Sequence, residues 1–219
     1  MKNKPQKPTF REEEILWKKG FNYIIGIDEV GRGAFAGPVV TAAVIFDPKK
    51  CSQDLFLEID DSKRLRSLKR KTLAKQIKDQ AIFWEISTKS VAVINKYGIG
   101  KATNMAFRKS LSSIVKLLDR EKPYVLVDGF HVRYIRGVGL KHEKAIVKGD
   151  QKSMSIAAAS IIAKDHRDRL MKALSKRYPR YGLGRNKGYG TKEHQMAIKK
   201  FGLTRIHRRS FKLQRFLAP

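Results

Sequence analysis

The chain has 219 residues, 42% of them hydrophobic, enough to bury one large domain or a domain with a small appendage. Its 48 Lys and Arg against 20 Asp and Glu give a formal charge of +28, and such an excess points to a polyanionic partner, nucleic acid first. One cysteine, Cys51, excludes an intrachain disulfide and a cysteine-rich zinc site. The longest apolar run, residues 156–163, is far too short to span a bilayer. The start alternates acidic and basic residues and lacks the apolar core of a signal peptide, so a soluble cytoplasmic protein with no membrane partner is expected.

In chain order, residues 1–20 read as a tail or a short helix around 12–18. Residues 23–28 form a first strand that runs into two adjacent acids, Asp28 and Glu29, and then into Gly31, Arg32 and Gly33. Acids set against an apolar run need a cation, which either Arg32 or a divalent metal would supply. Neighbouring strand residues point to opposite faces, so these two acids share an ion only if the strand ends or bulges there. Residues 38–46 are β-branched and apolar, a buried strand. Asp60 to Lys63 form a polar loop, and Ser67 caps a helix reaching residue 77. Residues 81–88 suit an antiparallel third strand. Residues 91–116 read as a helix in two pieces, broken near Gly98 and Gly100. Residues 124–128 repeat the opening pattern, an apolar strand ending in Asp128, and residues 144–150 do so again, ending in Asp150. Ser153 caps a long helix with Ile156, Ala159, Ile162 and Ala163 on its apolar side. Strands mostly followed by helices indicate an α/β fold with a mixed sheet.

From residue 164 onward there are 17 Lys and Arg but only three acids, Asp165, Asp168 and Glu193. Aromatic residues are interleaved with those cations, while Met196, Ile198 and Phe201 are expected to pack inward. The expectation is a small, basic, helical lobe that grips a phosphate backbone.

Three strands ending in acids say more than any one of them. In open α/β sheets, sites form beyond the carboxyl ends of parallel strands, so Asp28, Asp128 and Asp150 are expected to converge there with Glu29 alongside. Clustered carboxylates repel one another and rise in pKa unless cations neutralise them. All-oxygen ligands suit Mg²⁺ or Mn²⁺. Beside a basic groove, such a cluster is the arrangement for two-metal phosphodiester hydrolysis. The bland alternative for Asp150 is that it caps the helix after it.

At this point a resemblance emerges. The stretch Gly26 to Gly33 (Gly-Ile-Asp-Glu-Val-Gly-Arg-Gly), Asp61 to Lys63, Val127 to Gly129, Lys148 to Asp150, Ala159 to Lys164, Lys187 to Tyr189 and His207 to Phe211 resemble the signature blocks of ribonuclease HII, in that family's order. The resemblance implies a ribonuclease-H-like mixed sheet flanked by helices, with a small basic helical C-terminal region. It implies an endonuclease cutting 5′ of ribonucleotides in RNA/DNA hybrids or embedded in duplex DNA, leaving a 3′ hydroxyl and a 5′ phosphate. Asp28, Glu29, Asp128 and Asp150 match the family's metal-binding acids, with Mn²⁺ or Mg²⁺ as cofactor. Gly31, Arg32, Gly33 and Tyr189 match its sensor for the RNA–DNA junction. The expected division is a tail over 1–20, a catalytic domain over 21–175 and a basic lobe over 176–219, in a monomer.

The residue chemistry runs alongside. Only the 2′-hydroxyl separates ribose from deoxyribose; bare backbone at Gly31 and Gly33 can approach it, and Tyr189 offers a flat ring and a hydroxyl. Arg32, Lys63 and Lys187 are candidate phosphate contacts. Ser160 and Lys164 share one helix face and could meet the nucleic-acid backbone. The histidines show no metal-ligand spacing, and His194 and His207 are assigned a structural role only. Two departures from the family pattern stand out: Gly98 replaces an asparagine, and Asp165 replaces a valine, where a local ion pair is expected. The rivals are a non-catalytic basic RNA-binding protein of ribosomal type and another ribonuclease-H-like nuclease such as a resolvase or integrase. The first leaves the three acid-ended strands unexplained.

Overall fold

In the computed structural model the described residues are 7–47, 49, 52–60, 62, 65–118, 121–132, 135, 137–138 and 141–217. Five strands, β1 (Ile24–Val30), β2 (Val39–Ile45), β3 (Phe83–Lys89), β4 (Tyr124–Asp128) and β5 (Glu143–Ile146), form one sheet in the order β3-β2-β1-β4-β5. Strand β2 pairs antiparallel with β1 and β3, whereas β1, β4 and β5 run parallel.

The helices are α1 (Arg11–Trp17), α2 (Gln53–Glu58), α3 (Ser67–Gln80), α4 (Val91–Val115), α5 (Met154–Arg177), α6 (Leu183–Asn186) and α7 (Lys192–Phe201). Strand β2 shows why they enclose the sheet. Its residues alternate between faces: Val40, Ala42 and Val44 pack with Leu73 and Ile77 of α3 and Ala158 and Ile162 of α5. Ala43 and Ile45 pack with Ile25, Ile27 and Phe107, Leu111 and Ile114 of α4. Both faces are covered, so β2 is buried throughout and apolar but for Thr41, although its pairing is antiparallel.

Ser153 caps α5, its Oγ accepting from Ile156 N at 3.2 Å. Helix α4 breaks at Gly98, with φ 79 and ψ 159, as expected. Helix α1 docks through Glu13, whose buried carboxylate accepts from the Ser153 and Ser155 hydroxyls, both at 2.6 Å; burial raises its pKa. Asp165 makes the expected local pair, 3.0 Å from Arg169.

Four expectations need correction. Strand β1 does not end at Asp28 but continues in register, Asp28 opposite Ala42 and Glu29 opposite Thr41. Ser67 is the first residue of α3 and not its cap; that position is Arg66, which makes no capping bond. The helix entrance is held instead by Arg70, which donates to the Ser62 and Leu65 carbonyls at 2.9 and 2.7 Å. Strand β5 stops at Ile146, because Lys148 turns the chain in the left-handed region, and Asp150 lies on the 3-10 turn beyond it. Met196 and Phe201 are 64% and 38% exposed, because α7 turns the face of His194, Ala197 and Ile198 inward.

The C-terminal segment packs Tyr181, Leu183, Ile198 and Ile206 against Met171 of α5 and Ala36 of the loop after β1. The expected lobe boundary at 175/176 thus falls inside α5. Among the described residues no helix is long and apolar enough to cross a membrane.

Candidate active site

Strand β4 stays paired with β1 only as far as Ile27 and Val127. Beyond that point β1 continues without its parallel neighbour, and a cavity of about 680 Å³ opens there, lined by Asp28, Glu29 and Asp128. The loss of a partner strand, not a break in β1, lets adjacent residues of opposite faces reach one space.

Asp28 is 5% exposed. One of its oxygens accepts from Glu29 N at 2.6 Å, and the Ser160 hydroxyl also bonds to it. Ser160 has a single proton to give, so the Ser62 hydroxyl, 2.8 Å away, is the donor in that pair. Burial, then Glu29, then Asp128 push the Asp28 carboxyl well above its usual range. Asp128 accepts from Gly149 N at 2.6 Å. Asp150 is the next residue, buried in the 3-10 turn and not in the cavity wall. Ser153 caps α5, so Asp150 does not.

Arg32 approaches Glu29 at 3.8 Å with half its side chain exposed, and its guanidinium lies 4.7 Å from the Phe130 ring centroid. A pair so long and so wet contributes little. The remaining cavity wall is cationic but braced. Asp168 bridges Lys164 at 2.7 Å and Arg70 at 3.0 Å, and burial lowers the Lys164 pKa. The Lys187 ammonium bonds to Gly184 O at 2.5 Å.

Ser160, Lys164, Lys187 and Tyr189 line this same cavity. Lys63 lies outside the described residues. The loop after β1 meets the Tyr189 loop directly, Phe35 N and Ala36 N both donating to Gly188 O at 2.8 and 3.1 Å. A Cβ on Gly188 would collide with Ala36 O, and one on Gly190 with the Phe35 ring. Those glycines are thus explained by loop contact. Gly33 is exposed, with nothing within 4 Å of a Cβ placed on it.

Two fully buried arginines hold this junction, and the sequence reading gave neither a role. Arg167 donates to Pro38 O at 3.0 Å, Lys187 O at 2.9 Å and Ala36 O at 3.2 Å, and lies 5.4 Å from the Tyr189 ring centroid. Arg208 donates to Gly37 O at 3.0 Å, Arg32 O at 2.8 Å and Pro38 O at 3.1 Å. Burial, then Arg167, lowers the Arg208 pKa to about 9. Five donors in a fixed planar fork allow one guanidinium to span three carbonyls. Arg208 had a signal, its place in the block from His207 to Phe211; Arg167 had none. Ser62, Arg70 and Asp168 are further cavity residues that the sequence reading left unassigned.

The acids of this cavity are hard oxygen donors, with no thiolate or imidazole beside them, and their mutual repulsion on Asp28 is what a cation would relieve. They fit a divalent ion of the Mg²⁺ class. Among the described residues no three His, Cys, Asp or Glu side chains close on a single point; the acids line a space instead of enclosing one ion.

A family model described as Ribonuclease HII matches residues 25–214. The chain belongs to the ribonuclease HII family. The ribonuclease HII of Clostridium beijerinckii is 44% identical over 191 residues, covering 87% of this chain and 68% of that one. That of Chloroherpeton thalassium is 45% identical over 201 residues, covering 92% and 95%. The crystal structure of ribonuclease H2 from Pyrococcus horikoshii superposes with a TM-score of 0.69 at 26% identity, covering 89% of this chain and 98% of that one. The fold is therefore ribonuclease-H-like and the chain is an endoribonuclease of a family that depends on divalent metal. The ribosomal-type reading is not favoured.

Proposed function

We propose that the cavity at the end of β1 and β4 hydrolyses the phosphodiester 5′ of ribonucleotides, in RNA/DNA hybrids and in duplex DNA that contains single ribonucleotides. One observation carries this reading: Asp28, Glu29 and Asp128 share a cavity with Ser160, Lys164, Lys187 and Tyr189, acids for a metal beside groups for a phosphate and a sugar. Asp28, Glu29 and Asp128 hold the metal, with Asp150 one residue beyond the Gly149 N–H that steadies Asp128. Bound Mg²⁺ or Mn²⁺ would supply a Lewis acid and a water of lowered pKa.

The chain's own groups do the rest. Lys164 and Lys187 face phosphate oxygens from the cavity wall, and Ser160 keeps Asp28 oriented. The Gly31-Arg32-Gly33 turn, exposed at Arg32 and Gly33, and the Tyr189 ring frame the sugar whose 2′-hydroxyl marks ribose. Cations along the C-terminal segment contact duplex phosphates without reading sequence. The enzyme acts as a monomer in the cytoplasm.

The test is a duplex carrying one ribonucleotide, incubated with and without Mn²⁺ beside an all-DNA control. Metal-dependent cleavage 5′ of the ribonucleotide, with the control intact, supports the reading. Cleavage of the all-DNA duplex, or none of the ribonucleotide duplex while a long hybrid is cut, overturns it.

A further inference from the structure

His194 and His207 are 0% and 1% exposed and form a hydrogen-bonded chain whose two ends are fixed by the backbone. At one end Thr204 N–H donates to His207 Nδ1 at 2.9 Å. A backbone N–H can only donate, so that nitrogen carries the lone pair, and neutral His207 holds its proton on Nε2. At the other end His194 Nδ1 lies 3.0 Å from Tyr189 O. A carbonyl can only accept, so His194 holds its proton on Nδ1 and presents a lone pair at Nε2. Between them the two Nε2 atoms are 3.2 Å apart, one donor facing one acceptor. Each end independently demands the tautomer that the other requires.

The hydrogen-bonded chain ends at the carbonyl of Tyr189, the residue proposed above to meet the sugar. Thr191 caps α7, its hydroxyl accepting from His194 N at 3.3 Å, and Gln195 donates to Gly190 O at 2.7 Å. The first turn of α7 thus grips the carbonyls of Tyr189 and Gly190 together. The Tyr189 side chain makes no hydrogen bond to a described residue, so its position depends on its backbone and on Arg167 beneath the ring.

We propose that His207 and His194 form a tautomer-locked relay that positions Tyr189 for junction recognition. The inference rests on the assignment of Tyr189 to the sugar. In this relay His194 and His207 are positioning residues and touch no substrate. Removing the His207 donor leaves His194 Nε2 buried without a partner and frees the Tyr189 carbonyl to shift.

Two measurements test it. The first is side-chain ¹⁵N NMR of the full chain at pH 7, expected to show a neutral Nε2–H tautomer for His207, a neutral Nδ1–H tautomer for His194, and a coupling across the Nε2–H···Nε2 bond. Two Nε2–H tautomers, or an imidazolium at either position, overturn the relay whatever the kinetics show. The second compares His207→Leu, which removes the donor, with His207→Gln, whose amide keeps a donor directed at His194. At a single ribonucleotide, His207→Leu should lower kcat about tenfold with KM little changed, and His207→Gln should recover most of that loss. In a Tyr189→Ala background the Leu substitution should cost less than about twofold, since the two act as one unit. A folded His207→Leu enzyme cutting at the wild-type rate, or losses that multiply in the double variant, overturns the proposal. If His207→Leu does not fold, the NMR assignment and the Gln variant decide, equal activity of Gln and wild type with the expected tautomers supporting the relay. If Tyr189→Ala alone cuts at the wild-type rate, the sugar assignment has failed instead, and the tautomers remain as measured.

Discussion

A methyl group on Gly31 would lie 2.0 Å from Nε of Arg167, so the glycine and the buried guanidinium fill one space between them. With φ at +88, that backbone also sits where L side chains are strained. Gly33, two residues on, has neither constraint. The two glycines of one short motif are therefore glycine for different reasons. Gly31→Ala should destabilise the fold by about 2–4 kcal/mol and displace Arg167 from the Lys187 carbonyl. Gly33→Ala should change stability by less than about 0.5 kcal/mol, yet slow cleavage at a single ribonucleotide about tenfold where the turn approaches the sugar. Thermal melting and single-turnover cleavage of both variants check this; equal melting losses would mean that the loop is uniformly packed.

The acids give a second prediction. Asp28 is buried against Glu29 and Asp128, so Asp28→Asn removes both a desolvated charge and a repulsion. Without metal, this variant should melt higher than wild type, by about 2–4 °C for each kcal/mol gained. Its turnover should fall at least about a thousandfold, with duplex binding largely kept because the basic surface is untouched. Asp128→Asn should show the same pattern. Near-wild-type cleavage by either variant would remove these residues from the metal site.

Much of this site was legible in the sequence. An apolar strand running into Asp28 and another running into Asp128 marked the end of a parallel pair, and the structure places β1 beside β4 with both acids in one cavity. Asp150 was harder, since the reading took the apolar run of β5 to continue up to it, while Lys148 in fact turns the chain out of the strand first. Arg167 was invisible, and Arg208 was marked only by its place in the block from His207 to Phe211, for a physical reason. Among 48 Lys and Arg, the default for any one is solvent, and no spacing rule marks the two whose forks satisfy five carbonyls. The histidine pair was hidden differently: its members are 13 positions apart, and the contacts that fix them, to each other and to Thr204 and Tyr189, follow no spacing rule.

The third prediction is a pH dependence. Burial, then the facing His194, lowers the His207 pKa to about 4, and His194 is lowered by its own burial. An unfolded imidazole titrates near about 6.5, so on acidification the unfolded chain takes up the proton first. The stability contribution is therefore full above about pH 6.5 and is lost as pH falls towards about 4. Glu13 and Asp28, both raised, work in the opposite sense, their contribution being lost as pH rises. The comparison with His207→Gln isolates the histidine: its melting temperature should fall less than that of wild type between pH 6.5 and 4. Parallel curves would show that His207 takes up its proton in the fold at the same pH as in the unfolded chain.

The fourth concerns the C-terminal cations. Deleting residues 192–219 would remove Ile198 and Arg208 from packed positions and confound binding with folding. Lys192, Lys199 and Lys200 are exposed on α7, so replacing all three with Gln leaves the core intact. If they meet phosphates, affinity should weaken for ribonucleotide-containing and all-DNA duplexes alike. The slope of log affinity against log salt should fall by about 0.9 for each phosphate that is no longer neutralised. An unchanged slope would place the phosphate-binding surface elsewhere.

The last prediction separates the ring of Tyr189 from its hydroxyl. The half-buried ring rests on Arg167 on one side and borders the cavity on the other. Tyr189→Ala removes the face on which a sugar would lie, a loss of roughly 1–3 kcal/mol by analogy with base stacking, or about ten- to a hundredfold in rate. No described residue holds the hydroxyl, so Tyr189→Phe should be silent unless that group meets the 2′ oxygen or its phosphate. A Phe variant as slow as Ala would assign recognition to the hydroxyl, whereas a Phe variant as fast as wild type, with Ala slow, would assign it to the ring. Replacing the ribose by deoxyribose should abolish cleavage by the wild type, because the mark that the loop reads is then gone. Tyr189→Ala at full rate on the single-ribonucleotide duplex would make the tyrosine a packing residue and leave discrimination to the exposed turn at Gly33.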